Sequence, residues 1–235
     1  TEHLSVAQKL YYEPSKSLSF QAYGSMFFMN SYDLIQDMTF SQSRDFMAGI
    51  KLKYDVKDWF TVNLSLHGDF YDRFKRHERI DERKNVYKSK IFEPRLTLTS
   101  SYFTGHNIIF GVEHTTDELT SDRFVNRRMT TRSLHETEYF LQDEWTVNSH
   151  WMLSSGVRTN FSKAFGFMWM PKIAIKYAPD NHWALRANYS MGYRAPSIKE
   201  LFFNWDHLGM FQIKGSENLQ SEKNNYFSLG AEYST

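Results

Sequence analysis

From Phe60 to Phe70 apolar side chains return at every second position. Phe60, Val62, Leu64, Leu66 and Phe70 fall on one face of an extended chain, and Thr61, Asn63, Ser65, His67 and Asp69 on the other. The same period runs through Leu18, Phe20, Ala22, Met26 and Phe28, through Phe46, Ala48, Ile50, Leu52 and Tyr54, and through Leu96, Leu98 and Tyr102. It continues in Ile108, Phe110 and Val112, in Trp151, Leu153 and Val157, in Ile173, Ile175 and Tyr177, in Trp183, Leu185, Ala187, Tyr189 and Met191, and in Phe227, Leu229, Ala231 and Tyr233. None of these positions carries a charge, whereas Lys51, Lys53, Arg95, Glu113, Arg158, Lys172, Lys176, Arg186 and Glu232 all belong to the intervening set. The pattern predicts two-faced antiparallel strands, one side apolar and one wet.

What separates the strands alternates in length. Brief turns flanked by aromatic residues fall at Tyr54 to Trp59, Tyr102 to His106, Trp145 to Trp151 and Tyr177 to Trp183, with a fifth near Pro14. Between them lie wide polar excursions at about 71–90, 115–135 and 193–219. Short turns on one side, long loops on the other and interfacial aromatic girdles are the marks of a transmembrane β-barrel. The segregation of charge has the same reading, because a Lys or Arg at the bilayer midplane costs roughly 2–4 kcal/mol. A soluble β-sandwich adhesin or structural protein predicts the same alternation but no girdle, and would need no detergent.

Composition narrows the choice. The chain of 235 residues is 41% hydrophobic and 23% charged, and no apolar run reaches the ~20 residues that a membrane helix needs. Aromatics are abundant, with 20 Phe, 14 Tyr and 6 Trp, the last two being types that gather where a surface is half wet. A net charge of +1 offers no global attraction to nucleic acid, and zero cysteines exclude disulfides and thiolate metal sites. The expected fold is all-β, an antiparallel transmembrane β-barrel of which about ten or eleven strands are in view. Residues 1–235 are expected to form one part of a larger barrel. No secretion signal opens the chain at Thr1-Glu2-His3, and both ends read as if cut within a sheet.

The stretch Arg186-Ala187-Asn188-Tyr189-Ser190-Met191-Gly192-Tyr193-Arg194-Ala195-Pro196-Ser197-Ile198-Lys199-Glu200-Leu201 resembles the late strand and loop of TonB-dependent outer-membrane receptors. In that family Gly-[Phe/Tyr]-Arg-Ala-Pro ends a strand, Glu-Leu follows, and an Asn-Pro-[Asn/Asp]-Leu-x-Pro-Glu segment opens the next strand. Here Tyr193, Arg194, Ala195, Pro196 and Glu200 match the first part, and Asn218, Leu219 and Glu222 the second. Ser216-Glu217 and Ser221 stand where the family has Asn-Pro and the second Pro. Phe140 to Trp145, Gly156-Val157-Arg158 and Pro171-Lys172-Ile173 resemble the preceding strands. Without the family, Pro196 suits a strand leaving its ladder, and Arg194 and Glu200 can pair to bind the loop down.

The resemblance implies a barrel of about 22 strands closed by a plug, set among outer-membrane lipid and lipopolysaccharide. It implies nutrient uptake driven by TonB through a plug that these residues do not contain, and no catalysis or intrinsic cofactor. Nor is there a phosphate loop, a nucleophile elbow or a His-Glu-x-x-His motif in the chain.

For cargo, His207 is a candidate haem-iron ligand, with Trp205, Met210, Phe211 and Tyr193 near it in sequence. Arg127 and Arg128, with Arg132, could meet haem propionates or an anionic siderophore. The expectation is haem or a haem protein first, a ferric siderophore second and cobalamin third. His77 reads as part of a charged loop tip, and His114 and His135 flank a loop without metal-ligand spacing.

Overall fold

The computed structural model describes residues 1–33, 39–77, 82–124, 128–207 and 210–234. They build one 11-stranded antiparallel sheet. Its strands are β1 (Glu2–Ser15), β2 (Leu18–Asp33), β3 (Thr39–Lys57), β4 (Phe60–His77), β5 (Glu82–Ser100), β6 (His106–Ser121), β7 (Thr130–Thr146), β8 (Trp151–Ser162), β9 (Gly166–Tyr177) and β10 (Trp183–Arg194). The chain then forms the one-turn helix α1 (Ile198–Phe202) and a hairpin of β11 (Asn204–His207) with β12 (Phe211–Lys214). It returns as β13 (Glu222–Tyr233), which pairs with β10. Every other sheet pairing joins sequence neighbours.

Register carries the two-faced pattern across the sheet. Phe20, Leu52, Leu64, Leu96, Val112 and Tyr139 lie opposite one another in a continuous apolar row. One residue along, Lys51, Ser65, Arg95, Glu113, Glu138 and Asn160 form a polar row. A slip of one residue in any pair would exchange the two, so register is tightly specified. Among the described residues nothing covers the apolar face: Ile50, Leu64, Phe70, Phe110, Leu141 and Ile173 are exposed, and Leu229 is 88% exposed. This overturns the β-sandwich alternative, in which those side chains would pack against a second sheet. Among the described residues no helix is long and apolar enough to cross a membrane.

The five brief turns all lie along one edge. Their aromatic flanks meet across strands: Trp59 and Tyr102 have ring centroids 4.9 Å apart, Trp151 and Tyr177 4.3 Å, and Trp183 and Tyr233 4.9 Å. Local chemistry shapes each turn. Asn148 Oδ1 accepts from the backbone of His150 and Trp151, and Asp180 Oδ1 from that of His182 and Trp183. Those two N–H groups hold the Asp180 carboxyl below its ordinary range. Gly105 has φ +81°, and a Cβ there would stand 2.8 Å from the Thr146 carbonyl oxygen.

The opposite edge differs from a simple reading of loops. Residues 71–77 and 82–90 continue β4 and β5 as paired strands, held by polar links across the ladder: Arg44 grips Asp72 with two bonds of 2.9 and 2.8 Å, and Arg73 Nε donates to Ser41 Oγ at 2.8 Å. Likewise β6 runs to Ser121 and β7 begins at Thr130, so most of 115–135 is ladder. At this edge β8 and β9 are joined through residues 163–165 alone, where the alternation of short and long connections breaks.

Candidate functional site

The described buried hydrophobic cluster sits at the loop edge, on the polar face. Leu119, Phe124, Ile198 and Phe203 form it, with Tyr87, Leu134 and Phe202 packed against them. The segment between β10 and β13 thus folds back over β5, β6 and β7. Three local devices shape it. Ser197 caps α1 and Glu200 completes a capping box, its carboxylate accepting from the Ser197 N–H and hydroxyl, both at 2.8 Å. Arg194 donates to Glu200 at 2.5 Å and to Glu222 at 3.0 Å, tying the end of β10, the helix and the start of β13 together. Gly215 donates to the Phe203 carbonyl, and a Cβ on it would lie 2.6 Å from the Glu200 carbonyl oxygen, a space only glycine fits. The Arg194 contact, followed by the capping bonds, pulls the Glu200 carboxyl down to about 2.

Against this docked segment lies a cavity of about 410 Å³, lined from β3 by Asp45, from β4 by Asp69, Tyr71 and Arg73, from β5 by Val86, Tyr87, Ser89 and Ile91, and from above by Arg123, Lys199 and Phe203. Tyr71 and Tyr87 meet edge to face at 5.5 Å, and the Tyr71 hydroxyl donates to Ser43 Oγ at 3.1 Å. Lys199 Nζ stands 5.1 Å from the Tyr87 ring centroid, and the Arg123 guanidinium 4.2 Å from that of Trp205. Burial, and then the neighbouring Arg73, push the Arg123 guanidinium below its ordinary value. Three cations, Arg73, Arg123 and Lys199, outnumber the two carboxyl groups of Asp45 and Asp69 in the lining, and with the two tyrosines they offer charge-assisted donors to an oxygen-rich ligand on the side away from those acids.

The residues picked from sequence divide. Arg194, Pro196, Glu200 and Glu222 belong to the clamp and its buried root. Tyr193 accepts from Ser221 Oγ at 3.3 Å, Ala195 lies between it and the buried Pro196, and Asn218 and Leu219 turn on Ser216 through backbone donors. Trp205 is edge-on to Phe211 at 6.4 Å, and Met210 and Phe211 are 69% and 53% exposed. His207 closes β11 opposite Phe211, its side chain outside the described residues, as are the side chain of His77 and the whole of Arg127. Arg128 is exposed and away from the cavity lining. His114 and His135 lie 6.1 Å apart, hydrogen-bonded to Thr137 and Thr116.

Sequence reasoning missed Tyr71, Tyr87 and Arg123 and left Arg73 unremarked within the polar excursion of 71–90. The available signal was parity: Asp69, Tyr71 and Arg73 extend the polar series of β4.

Comparison with known proteins agrees with this architecture. The family model of TonB dependent receptor-like β-barrels matches residues 7–235. An iron-regulated outer membrane virulence protein of Vibrio cholerae is 26% identical over 181 residues, 74% of this chain and 28% of the relative. The chain therefore spans under a third of that relative's length. Among solved structures, the siderophore receptor PirA from Pseudomonas aeruginosa superposes with a TM-score of 0.84 at 12% identity, covering 99% of this chain and 43% of that one. A ferric enterobactin receptor (PfeA) mutant from the same organism gives 0.81 at 13% identity, covering 99% and 40%. The uncovered apolar face is then the lipid face and the polar face the lumen wall, and the chain belongs to the TonB-dependent receptor family, as part of its outer-membrane β-barrel.

Proposed function

We propose that these residues form the wall and outer mouth of a receptor that captures a ferric complex of an anionic small-molecule chelator for uptake. The carrying observation is the lumen-side cavity where Arg73, Arg123 and Lys199 stand around Tyr71 and Tyr87 and outnumber the carboxyl groups of Asp45 and Asp69. The printed names of the relatives, iron-regulated in one case and siderophore or ferric enterobactin receptors in others, support the cargo class. Transport is powered through TonB acting on a plug that lies outside these 235 residues.

Haem takes second place, reversing the order expected from sequence. Arg123 already covers a face of Trp205, and exposed Met210 and Phe211 make no two-sided slot for a flat macrocycle. Cobalamin has no supporting observation.

The test is binding of ferric catecholate and ferric hydroxamate probes to the full-length receptor and its Arg73→Ala/Arg123→Ala variant. Each lost charge-assisted bond should weaken binding by about tenfold or more. Unchanged affinity for every chelate bound by the wild type would remove the cavity from the site. A haemin titration comparing wild type with His207→Ala decides the second reading, because a lost Soret shift would restore haem.

A further inference from the structure

The lumen-side cavity carries opposite charges at its two ends. Along β4 the successive lumen-facing side chains are Asp69, Tyr71 and Arg73, and Asp45 of β3 lies opposite Tyr71 and diagonal to Asp69. The two carboxyl groups therefore line the deep end, nearer the apolar band. Arg73, with Arg123 and Lys199 above it, lines the outer end. Four residues of extended chain separate Asp69 from Arg73, roughly 13 Å at ~3.3 Å per residue. Between the ends Tyr71 and Tyr87, edge to face, give the wall an apolar middle.

The deep end has an unmet requirement. Asp45 Oδ1 is buried without a hydrogen-bond partner, and neither Asp45 nor Asp69 has an ion pair among the described residues. An open buried acceptor costs about 1–3 kcal/mol. The two side chains also meet, which carboxylates do only by sharing a proton or a cation. A protonated amine supplies both the missing donor and the countercharge.

We infer that the cavity selects an amphoteric ferric chelate, whose anionic iron-bearing core lies under Arg73, Arg123 and Lys199 and whose protonated amine arm reaches past Tyr71 to Asp45 and Asp69. The inference rests on the chelate reading above and narrows it. A chelate anionic along its whole length would bring negative charge against the two acids, and a wholly cationic molecule would meet the three bases. Only a molecule with both ends matches the lining.

The full-length receptor in detergent is titrated with one synthetic ferric chelate in three forms. These are the bare core, the core with a primary amine on an arm long enough to span Asp69 to Arg73, and the same arm N-acetylated. The core is tris-catecholate or tris-hydroxamate, whichever the wild type binds. Acetylation removes the charge and keeps the arm, so wild type should bind the amine form about tenfold more tightly than the acetylated one. D45N/D69N should bind those two forms alike while still binding the bare core. R73A/R123A should weaken all three forms and keep the preference for the amine. Heat-modifiable gel mobility checks that each variant folds. Equal wild-type affinity for the amine and acetylated forms, or a preference that survives in D45N/D69N, overturns the inference and leaves the chelate reading standing. Wild type that binds neither core overturns both.

Discussion

The two edges of the sheet are built by different means. At the short-turn edge each connection is closed by its own residues: an Asx-type bond from Asn148 or Asp180, a left-handed Gly105, and aromatic pairs on adjoining strands. At the loop edge the segment after β10 finds partners far away, Ile198 and Phe203 against Leu119 and Phe124, and Arg123 against Trp205. Local closure makes a uniform rim at the membrane. Non-local closure makes a cavity, and that is where binding chemistry can vary while the wall stays the same.

The contrast can be broken first between the two faces that both edges share. Leu64→Arg, at mid-band on the lipid face, should cost roughly 2–4 kcal/mol in an unfolding titration in lipid vesicles. Ser65→Arg, its neighbour facing the lumen, should change the midpoint little. Equal losses would deny the distinction.

A smaller effect tests local closure. Gly105→Ala puts a Cβ against the Thr146 carbonyl at a positive φ and should destabilise by about 1 kcal/mol in the same titration. Gly166→Ala provides the contrast: φ is +76° there too, yet nothing lies within 4 Å of the added Cβ, so its loss should be smaller.

The smallest effect belongs to the loop clamp. The Glu200 carboxyl has a folded value of about 2, below its ordinary 4.5, so the clamp's contribution is fully present above pH 4.5 and fades as pH falls through about 2. Because Arg194 and Glu200 are exposed, solvent screens the pair and global stability should barely move. Limited proteolysis of residues 195–221 should instead quicken between pH 4.5 and 2 under an acid-active protease. Arg194→Ala should be cut more rapidly across that range, with the pH dependence reduced to what the Ser197 capping bonds retain.

How legible each part was follows the same division. Strand period, turn positions and the aromatic rim could be read because their determinants lie within a few residues of each other, as in Phe60 to Phe70 or Asn148 to Trp151. The clamp was half legible, since Arg194 and Glu200 are near neighbours, while Glu222 meets them only once β13 pairs with β10. The cavity was not legible. Parity puts Tyr71 and Arg73 on the lumen face, but Tyr87 comes opposite Arg73 only through the long extension of β4 and β5, and Arg123 joins them from beyond β6, which no spacing in the sequence records. The extension was hidden because its outward positions are polar, Arg44 with Asp72 and Lys90 with Glu118, which on period alone reads as loop.

The central claim is that alternate residues face lipid and lumen along one continuous wall. These 235 residues contain no cysteine, so single cysteines placed at each position from 61 to 70 of a full-length receptor whose other cysteines, where present, are replaced by serine can be labelled in native outer membrane with a water-soluble maleimide. The structure predicts labelling at 61, 63, 65, 67 and 69 and protection at 62, 64, 66, 68 and 70. Labelling without that alternation would contradict it.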